Sequence, residues 1–525
     1  GTSSVEVPEA TVSGSVTVTQ LAALAEDTPL TRPDSATVRA GDSVLVPVLA
    51  NDLTLGGSAL RLDANAEGAP APGQFVVLDE SGSAATDPQV AGSAYLSGSQ
   101  VRYLAPAMVT EPTVVQVRYI ALAGEVRAEG VATITVNPAP DAENPDSPPV
   151  PETIELRATS GDTLTIPIPA SGQDPDGDSV SLVGLDSGPR LGRVTGMSPK
   201  GISYQVFPND DNVGTDEFGY IVTDRYGQQG TGTVRIGVVP PGQTQPPVAV
   251  DDVLTARPGA RVHLDVLGND LIAVSDKVTV KPLEAAPDGV TLDGEQGPIT
   301  ATVLAADAAP RRFSYQLRGN GGDSTTAGVE VVAQEGFLNP PQVHDQLAVL
   351  DPDGRTASVD VLANAWDPDG DASGLKVTGV SEPTATVAGG LVTVPVLAQA
   401  QVLSYAVADA DGGTSAAAVY VPAAGDGVPY AQGRIELEPN TPRTVSLADN
   451  VVSPRNQPVR IALESGVSVA PADHVTVEVV DERTLTLTSD AYTGPAVLNV
   501  DVTDASGPDD LDGRRAMVSI PVQVG

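Results

Sequence analysis

The 525-residue sequence predicts an all-β protein, a tandem array of five β-sandwich domains that forms an extended rod. Three observations lead to this prediction: the sequence repeats, hydrophobic and polar residues alternate within each repeat, and turn-forming residues are spread evenly. Glycine and proline contribute 53 and 46 residues, so the elements between them must be short. A chain of this length also exceeds what one hydrophobic core normally supports.

Two independent landmarks define the repeat. The first is a proline-rich opening such as "QPPVAVDDVL", whose second proline recurs at spacings of 98, 94 and 88 residues: Pro149, Pro247, Pro341 and Pro429. The second is a tyrosine in a strand-like segment such as "DEFGYIVTDRYG", which recurs at spacings of 101, 95 and 90 residues: Tyr119, Tyr220, Tyr315 and Tyr405. Val500 takes its place 95 residues further on. Because both landmarks give one period, we expect five repeats, with the tyrosines in their cores.

Within a repeat the hydrophobic period is two residues. In "ARVHLDVLGND", for example, Val262, Leu264 and Val266 share one face of a strand and polar residues share the other. About seven such strands in roughly 90–100 residues are typical of an Ig-like β-sandwich. We expect no long amphipathic helix.

The landmarks place the repeats, which we call units 1 to 5, at residues 28–140, 147–240, 246–334, 340–424 and 428–525. Residues 1–27 are predicted to be the closing strand of a preceding repeat plus a linker. Unit 1 carries roughly 20 additional residues, around "AEGAPAPGQFVVLDESGSAATDPQ" (66–89). Insertions in repeat arrays usually form surface loops, some of which bind ligands.

Charge and composition exclude several functions. The chain has 28 basic and 68 acidic residues and a net charge of -40, which repels nucleic acid and anionic membranes and attracts cations. It has no cysteine, so disulfides and thiolate metal sites are excluded. No apolar run approaches the roughly 20 residues of a membrane span, so we expect no membrane insertion in this segment.

These segments resemble bacterial cadherin-like or Ig-like tandem repeats of large cell-surface or secreted proteins. The resemblance rests on "PPVAVDD", "DVLGND", "DVLANAWDPDGD" and "FGYIVTDRYGQQGTGTVRIGV" and covers about residues 28–525. It implies Ig-like or cadherin-like domains in stalks and adhesive arrays outside the cell, often with calcium at repeat ends. The chain departs from vertebrate-type cadherins because no linker reads D-x-N-D-N, which places a shared interdomain calcium clamp in doubt.

Two aspartate-rich loops are the candidate metal sites: "SGQDPDGDSV" (171–180) and "NAWDPDGDAS" (364–373). Calcium takes six to eight oxygen ligands, and alternating carboxylates could converge on one ion. The candidate calcium ligands are Asp174, Asp176, Asp178, Asp367, Asp369 and Asp371, with supplementary ligands in Asp224, Asp409 and Asp411. The alternative is a turn, because Pro-Asp-Gly is good β-turn chemistry and units 1, 3 and 5 lack the cluster. Both interpretations stay open at this point.

No sequence feature indicates an enzyme. The nucleophile elbow, the P-loop and the H-E-x-x-H motif are all absent, and the three histidines lie far apart in different units. The single tryptophan, Trp366, is expected to pack over a domain end. We therefore expect a structural stalk or spacer on a bacterial surface, whose partners are flanking repeats. The alternative is an adhesin in which one repeat, first of all unit 1 through its insertion, recognises a host, cell-surface or glycan ligand.

Overall fold

A computed structural model describes residues 28–55, 60–79, 81–124, 126–208, 213–240, 247–272, 278–282, 290–292, 299–303, 311–319, 324–351, 354–423, 428–507, 510 and 513–525. The strand and linker expected in residues 1–27 lie outside the described residues. Strands dominate, and the helices are no longer than four residues, which confirms the predicted all-β class. None of the helices in the described part of the chain is long and apolar enough to cross a membrane.

Unit 1 is one continuous sheet wrapped around its core. Its elements are β1 (Asp34–Arg39), β2 (Ser43–Val46), β3 (Leu60–Leu62), β4 (Gln74–Leu78), α1 (Pro88–Ala91), β5 (Ser93–Ser97), β6 (Gln100–Leu104), β7 (Thr113–Ala123) and β8 (Val126–Asn137). The sheet order is β1-β8-β7-β4-β5-β6-β2, with β3 beside β7. Strand β4 pairs with β7 through its second half and with β5 through its first, so it joins the two faces of the sandwich.

Unit 2 has seven strands in two sheets. They are β9 (Ile154–Thr159), β10 (Thr163–Pro167), β11 (Val180–Leu185), β12 (Gly192–Ser198), β13 (Gly201–Val206), β14 (Gly214–Asp224) and β15 (Gln229–Val239). One sheet has the order β10-β13-β12, and the other has β11-β14-β15-β9. Pro167 ends the edge strand β10, where its missing N–H does not interrupt the sheet.

Units 3 and 4 each consist of two small sheets. Unit 3 contains β16 (Asp252–Ala256), β17 (Arg261–Leu264), β18 (Thr279–Pro282), β19 (Val290–Leu292), β20 (Ile299–Thr302), β21 (Arg311–Arg318) and β22 (Ser324–Ala333). Unit 4 contains β23 (Gln346–Leu347), β24 (Val349–Leu350), β25 (Thr356–Asp360), a 3₁₀ turn (Ala372–Gly374), β26 (Lys376–Val380), β27 (Thr386–Ala388), β28 (Leu391–Pro395), β29 (Gln401–Ala408) and β30 (Thr414–Val421). The sheets are β16-β22-β21-β18 and β17-β20-β19 in unit 3, then β23-β30-β29-β26 and β24-β25-β28-β27 in unit 4.

Unit 5 has the most strands in the described residues. They are β31 (Tyr430–Ala431), β32 (Ile435–Leu437), β33 (Arg443–Ser446), β34 (Val451–Val452), β35 (Arg460–Ile461), β36 (Val467–Ala470), β37 (Val475–Asp481), β38 (Thr484–Ser489), β39 (Gly494–Thr503) and β40 (Arg515–Val524). The helix α2 (Leu447–Asn450) and a 3₁₀ turn (Glu464–Gly466) connect them. Strands β33, β38 and β37 form one sheet, and β35, β39 and β40 belong to another.

One topology recurs along the chain. In each unit an early strand runs parallel to the last strand: β1 with β8, β9 with β15, β16 with β22, β23 with β30, and β32 with β40. The last two strands form an antiparallel hairpin. Each unit also encloses its own hydrophobic cluster of mainly Val, Leu, Ile and Ala, and in units 1 to 4 the cluster includes the repeated tyrosine. Tandem sandwiches are thereby confirmed, while the exact number of domains and their boundaries stay predictions.

The predicted extended rod is wrong, because units distant in sequence touch. Units 1 and 4 meet where Arg102 pairs with Asp345 at 3.0 Å and where the hydroxyl of Ser404 donates to that of Ser43 at 2.7 Å. Units 2 and 5 meet where Leu185 of β11 pairs with β40. The rod prediction relied on repulsion at a net charge of -40, but charges beyond about 8–10 Å are screened by salt. Local complementarity, such as Arg102 against Asp345, decides these contacts instead.

Small-angle scattering should measure this folding back. The contacts between units 1 and 4 and between units 2 and 5 make the array shorter than five units in a row. We therefore expect a radius of gyration between the roughly 24 Å of a compact globule and the roughly 50–60 Å of five units in a row. A value above about 45 Å would contradict the contacts between units 1 and 4 and between units 2 and 5.

Candidate functional site

The repeated tyrosines lie in the cores, as predicted. The rings of all four are fully buried: Tyr119, Tyr220, Tyr315 and Tyr405. The hydroxyl of Tyr220 donates to the backbone oxygen of Glu152 at 3.0 Å, and that of Tyr405 donates to the backbone oxygen of His344 at 2.8 Å. These tyrosines are core residues of their units.

Unit 3 uses its tyrosine differently. The hydroxyl of Tyr315 donates to both carboxylate oxygens of Asp270, at 2.9 and 3.1 Å, and Asp252 lies beside this pair. Burial, followed by the charge of Asp270, raises the pKa of Asp252 to about 8. In unit 1, Tyr119 likewise contacts Asp34 and Asp52. Sequence reasoning missed these carboxyl pairs, although the "VDD" and "ND" segments that supply them in unit 3 stood within the quoted repeat pattern.

The first aspartate loop begins as a turn. One oxygen of Asp174, Oδ1, accepts hydrogen bonds from the backbone amides of Asp176 at 2.8 Å, Gly177 at 3.1 Å and Asp178 at 3.4 Å. This is the local capping expected of an aspartate in a turn. The turn interpretation therefore accounts for one oxygen of Asp174 and leaves the other free for a different role.

An arginine from unit 1 lies among the carboxylates of this loop. Arg39, at the end of β1, is almost completely buried, and its Nε donates to Asp178 Oδ2 at 2.8 Å. Its Nη2 lies 2.8 Å from Asp146 Oδ1, in the linker, and 3.2 Å from Asp176 Oδ2. The guanidinium thus bonds three carboxylates of the junction between units 1 and 2, with charge-assisted geometry that arginine is suited to.

Four carboxylate oxygens at this junction are buried and have no hydrogen-bond partner. They belong to the linker, the loop and the end of β14: Asp146 Oδ2, Asp174 Oδ2, Asp178 Oδ1 and Asp224 Oδ2. Burial first, and then neighbouring carboxylates, raise the pKa of Asp146 to about 6; burial also raises the pKa of Asp174 to about 6. We call these four residues the junction carboxylates. Buried carboxylate oxygens without partners are costly, and the raised pKa values reflect that cost.

The second aspartate loop is more dispersed. Asp367 is buried, and its Oδ1 accepts from the amide of Asp369 at 3.2 Å. Burial, followed by the charge of Asp409, raises the pKa of Asp367 to about 6. Asp371 instead caps the 3₁₀ turn by accepting from the amide of Ser373 at 2.9 Å. The structure thus brings Asp367, Asp369 and Asp409 together and directs Asp371 to a turn.

Among the described residues, no set of three His, Cys, Asp or Glu side chains is already arranged to hold a metal ion. The six predicted ligands therefore divide by role. Asp176 bonds Arg39 and also accepts from the amide of Ser147 at 2.8 Å, while Asp371 completes a turn. Asp146 and Asp224 join the cluster; the first was missed because it lies in a linker, far from the loop in sequence.

The insertion of unit 1 partly faces unit 4. The backbone oxygen of Pro72 accepts from the amide of Thr414 at 2.8 Å, and Asn65 exchanges hydrogen bonds with the backbone of Leu338 at 2.8 and 3.2 Å. Trp366 is half-buried and meets the ring of His263 edge-on, with centroids 6.1 Å apart. As expected, this tryptophan packs over a domain end.

The sequence matches the bacterial Ig domain in three segments: residues 145–237, 244–332 and 339–422. Together they make up just over half of the chain. The chain belongs to the bacterial Ig domain family. The bacterial Ig domains thus stand in tandem, with the aspartate loops in the first and third matched segments and the carboxyl pair of Asp252 and Asp270 in the second.

Several solved structures of tandem domains are similar to this bacterial Ig array. They include the human desmocollin-1 ectodomain, with 15% identity over 94% of this chain and 98% of that chain and a TM-score of 0.17. Drosophila N-cadherin EC1–4 has 13% identity over 72% of this chain and 99% of that chain, with a TM-score of 0.20. Sidekick-1 immunoglobulin domains 1–4 have 12% identity over 71% and 96%, with a TM-score of 0.22. The comparison with curated proteins finds no match.

Proposed function

We propose that this chain is a stalk or spacer segment of a large bacterial protein, cell-surface or secreted, that presents distal domains away from the cell. The tandem recurrence of bacterial Ig domains is the observation that carries the proposal. Partners of each unit are then the flanking repeats of the same protein. The net charge of -40 disfavours nucleic acid as a partner. The lack of nucleophile, phosphate-binding and zinc-protease motifs in the sequence supports a role that is not enzymatic.

The second candidate is an adhesin in which unit 1 recognises a protein or glycan ligand through its insertion. Residues 81–84 and 86–89 of the insertion are exposed, and exposed loops are where binding residues are often found. The contact of Pro72 with Thr414 favours the spacer function, because it buries part of the insertion against unit 4, where a ligand could not reach it.

Replacing the segment in its parent protein separates the two functions. Residues 28–525 are exchanged for an equally long array of bacterial Ig domains of unrelated sequence, and bacterial attachment and antibody access to the distal domains are measured. A spacer tolerates the exchange, whereas an adhesin loses attachment while antibody access persists. Deletion without replacement is the control for length; if it leaves both readouts unchanged, the spacer proposal is wrong.

We also infer that calcium binds at the junction carboxylates, and more weakly at the loop of Asp367 and Asp369 in unit 4. The support is chemical: calcium prefers oxygen ligands, and four buried carboxylate oxygens lack partners around Arg39. When bound, the ion would neutralise charge at the end of unit 2. Unit 4 offers fewer buried carboxylates, since Asp371 is exposed.

Calcium should therefore stabilise unit 2 against heat. At a calcium concentration a hundredfold above Kd, binding to the folded state adds about 2.7 kcal/mol, which calorimetry detects as a raised transition of the full chain. Asp224→Asn should remove most of that shift. Asp481→Asn, an equal change of charge on the exposed surface of unit 5, should keep it. Identical transitions in calcium and in chelator would leave the loop as a turn alone.

A further inference from the structure

An arginine occurs at one turn position in every second unit, and the unit that follows it carries an aspartate loop. A glycine of positive φ turns the chain just before β2, β10, β17 and β25, in units 1 to 4: Gly41 (78°), Gly161 (91°), Gly259 (78°) and Gly354 (67°). The residues two positions earlier are Arg39, Thr159, Arg257 and Pro352. Arginine thus occurs in units 1 and 3, and the D-P-D-G-D loop occurs in the units that follow them.

We propose that the array is built of two-unit blocks, units 1–2 and units 3–4, in which the arginine of the first unit is the fixed cation for the acidic end of the second. Charge-assisted bonds from the guanidinium would hold the two sandwiches at one mutual orientation. The proposal goes beyond the spacer function, because it assigns the side chains that fix two consecutive units against each other, and it does not depend on calcium.

The junction between units 1 and 2 carries the proposal. Besides its three carboxylates, Arg39 donates through Nη1 to the backbone oxygen of Pro138 at 2.9 Å, and its amide donates to the backbone oxygen of Gly177 at 2.9 Å. Ser179 of unit 2 donates through its amide and hydroxyl to Asp42 of unit 1, at 2.8 and 2.6 Å. Both partners are buried. Buried hydrogen bonds to charged groups are among the stronger ones in proteins, so this junction is specific.

Glycine is required where the two units touch. Gly177 has a φ of +90°, and a Cβ there would lie 2.5 Å from the Cα of Val38 on β1. Only a residue without a side chain lets the aspartate loop lie directly against the first strand of unit 1. The D-P-D-G-D sequence thus combines acidic residues with a glycine that permits docking.

The junction between units 3 and 4 repeats the arrangement in a more open form. Arg257 forms an ion pair with Asp411 of unit 4, and the side-chain amide of Asn339 donates to Asp369 at 3.3 Å and to the backbone oxygen of Thr255 at 3.1 Å. Arg257 keeps 39% of its side chain exposed, so solvent weakens the pair. We therefore expect the block of units 3 and 4 to be the looser one.

The sequence lacks both the arginine and the aspartate loop at the other two junctions, between units 2 and 3 and between units 4 and 5. Units 2 and 4 have Thr159 and Pro352 in the arginine position. Units 3 and 5 have "NDLIAVSDK" and "DNVVSPRNQ" in place of the loop. The period of the junction chemistry is therefore two units, although the period of the fold is one.

Hydrogen exchange of the full chain, measured in chelator, tests the blocks without any contribution from calcium. In Arg39→Met, amides of residues 174–180 should exchange about 10- to 100-fold faster, as expected when charged hydrogen bonds are lost. Arg235→Met is the matched control: it removes an exposed arginine of unit 2 that pairs with Glu155 and Glu217, and residues 174–180 should stay protected. Arg257→Met should accelerate residues 366–371 by less.

A second variant keeps the test decisive if Arg39→Met fails to fold. Asp146→Asn changes a linker residue outside the cores and should accelerate exchange of the same peptide in the same direction. Unchanged exchange of residues 174–180 in these variants overturns the proposal. Faster exchange that extends equally through β15 also overturns it, because the arginine would then support unit 2 as a whole instead of the junction.

Discussion

Tyr220→Ala is expected to destabilise unit 2 by roughly 3–5 kcal/mol, the usual cost of removing a large buried aromatic side chain. The ring is fully buried, and its hydroxyl bonds the backbone of Glu152. The ring also covers Gly232, its partner on β15: a Cβ on that glycine would lie 2.3 Å from the ring. The substitution therefore leaves a cavity and exposes a bare stretch of backbone. Calorimetry of the full chain should show one transition displaced to lower temperature.

The matched control is an exposed tyrosine. Tyr430 exposes half of its surface, so Tyr430→Ala should change the unfolding free energy by less than about 0.5 kcal/mol. Transitions of units 3 and 4 should stay in place in both variants. A cost near zero for Tyr220→Ala would show that the ring does not fill the core of unit 2.

Raising the pH should destabilise unit 3 through one buried carboxyl group. The pKa of Asp252 is about 8 in the folded protein and about 4 in an unfolded chain, because burial and the charge of Asp270 oppose ionisation. The folded state thus holds a proton that the unfolded state has released. The stability that this proton provides is fully present below about pH 4 and is lost as the pH rises to 8, by on the order of 3–5 kcal/mol.

Asp252→Asn should remove that dependence, since an amide resembles the protonated acid. At pH 9 the variant should unfold at a higher temperature than the wild type, and exchange of the β22 amides should be slower. Glu330→Gln, on an exposed ion pair of the same unit, is the control and should keep the wild-type pH dependence. If the difference in stability of unit 3 between the wild type and Asp252→Asn is the same at pH 6 and at pH 9, this assignment is contradicted.

Much of the fold could be predicted from local sequence. Residues that alternate along a strand, such as Val262 and Val266, are buried by the simple two-residue period of a sheet. Tyr220 and Tyr315 were placed in cores because they recur at one position of a sandwich strand. These signals are strong since each depends on a few adjacent residues and is repeated several times.

The candidate site was harder to predict because its residues converge from distant segments. Arg39 lies 139 residues from its partner Asp178, and neither strand pattern nor composition relates them. The alternation of arginine and aspartate loops was a usable signal, but only after the turn glycines had been aligned. The prediction of how the units are arranged was wrong for a similar reason. It relied on net charge, which is a property of the whole chain, whereas Arg102 and Asp345 meet locally.

The parallel pairing of an early strand with the last strand has a mechanical consequence for a tandem array. In unit 2 the six residues of β9 pair with Val234–Val239 of β15, and the chain enters at one end of this pair and leaves at the other. Tension applied along the array therefore drags these two strands past each other lengthwise. The load is shared by all the hydrogen bonds of the ladder at once, so these bonds cannot break one after another. Forced unfolding is governed by the unfolding rate, so the resistance of such a unit to pulling need not follow its equilibrium stability.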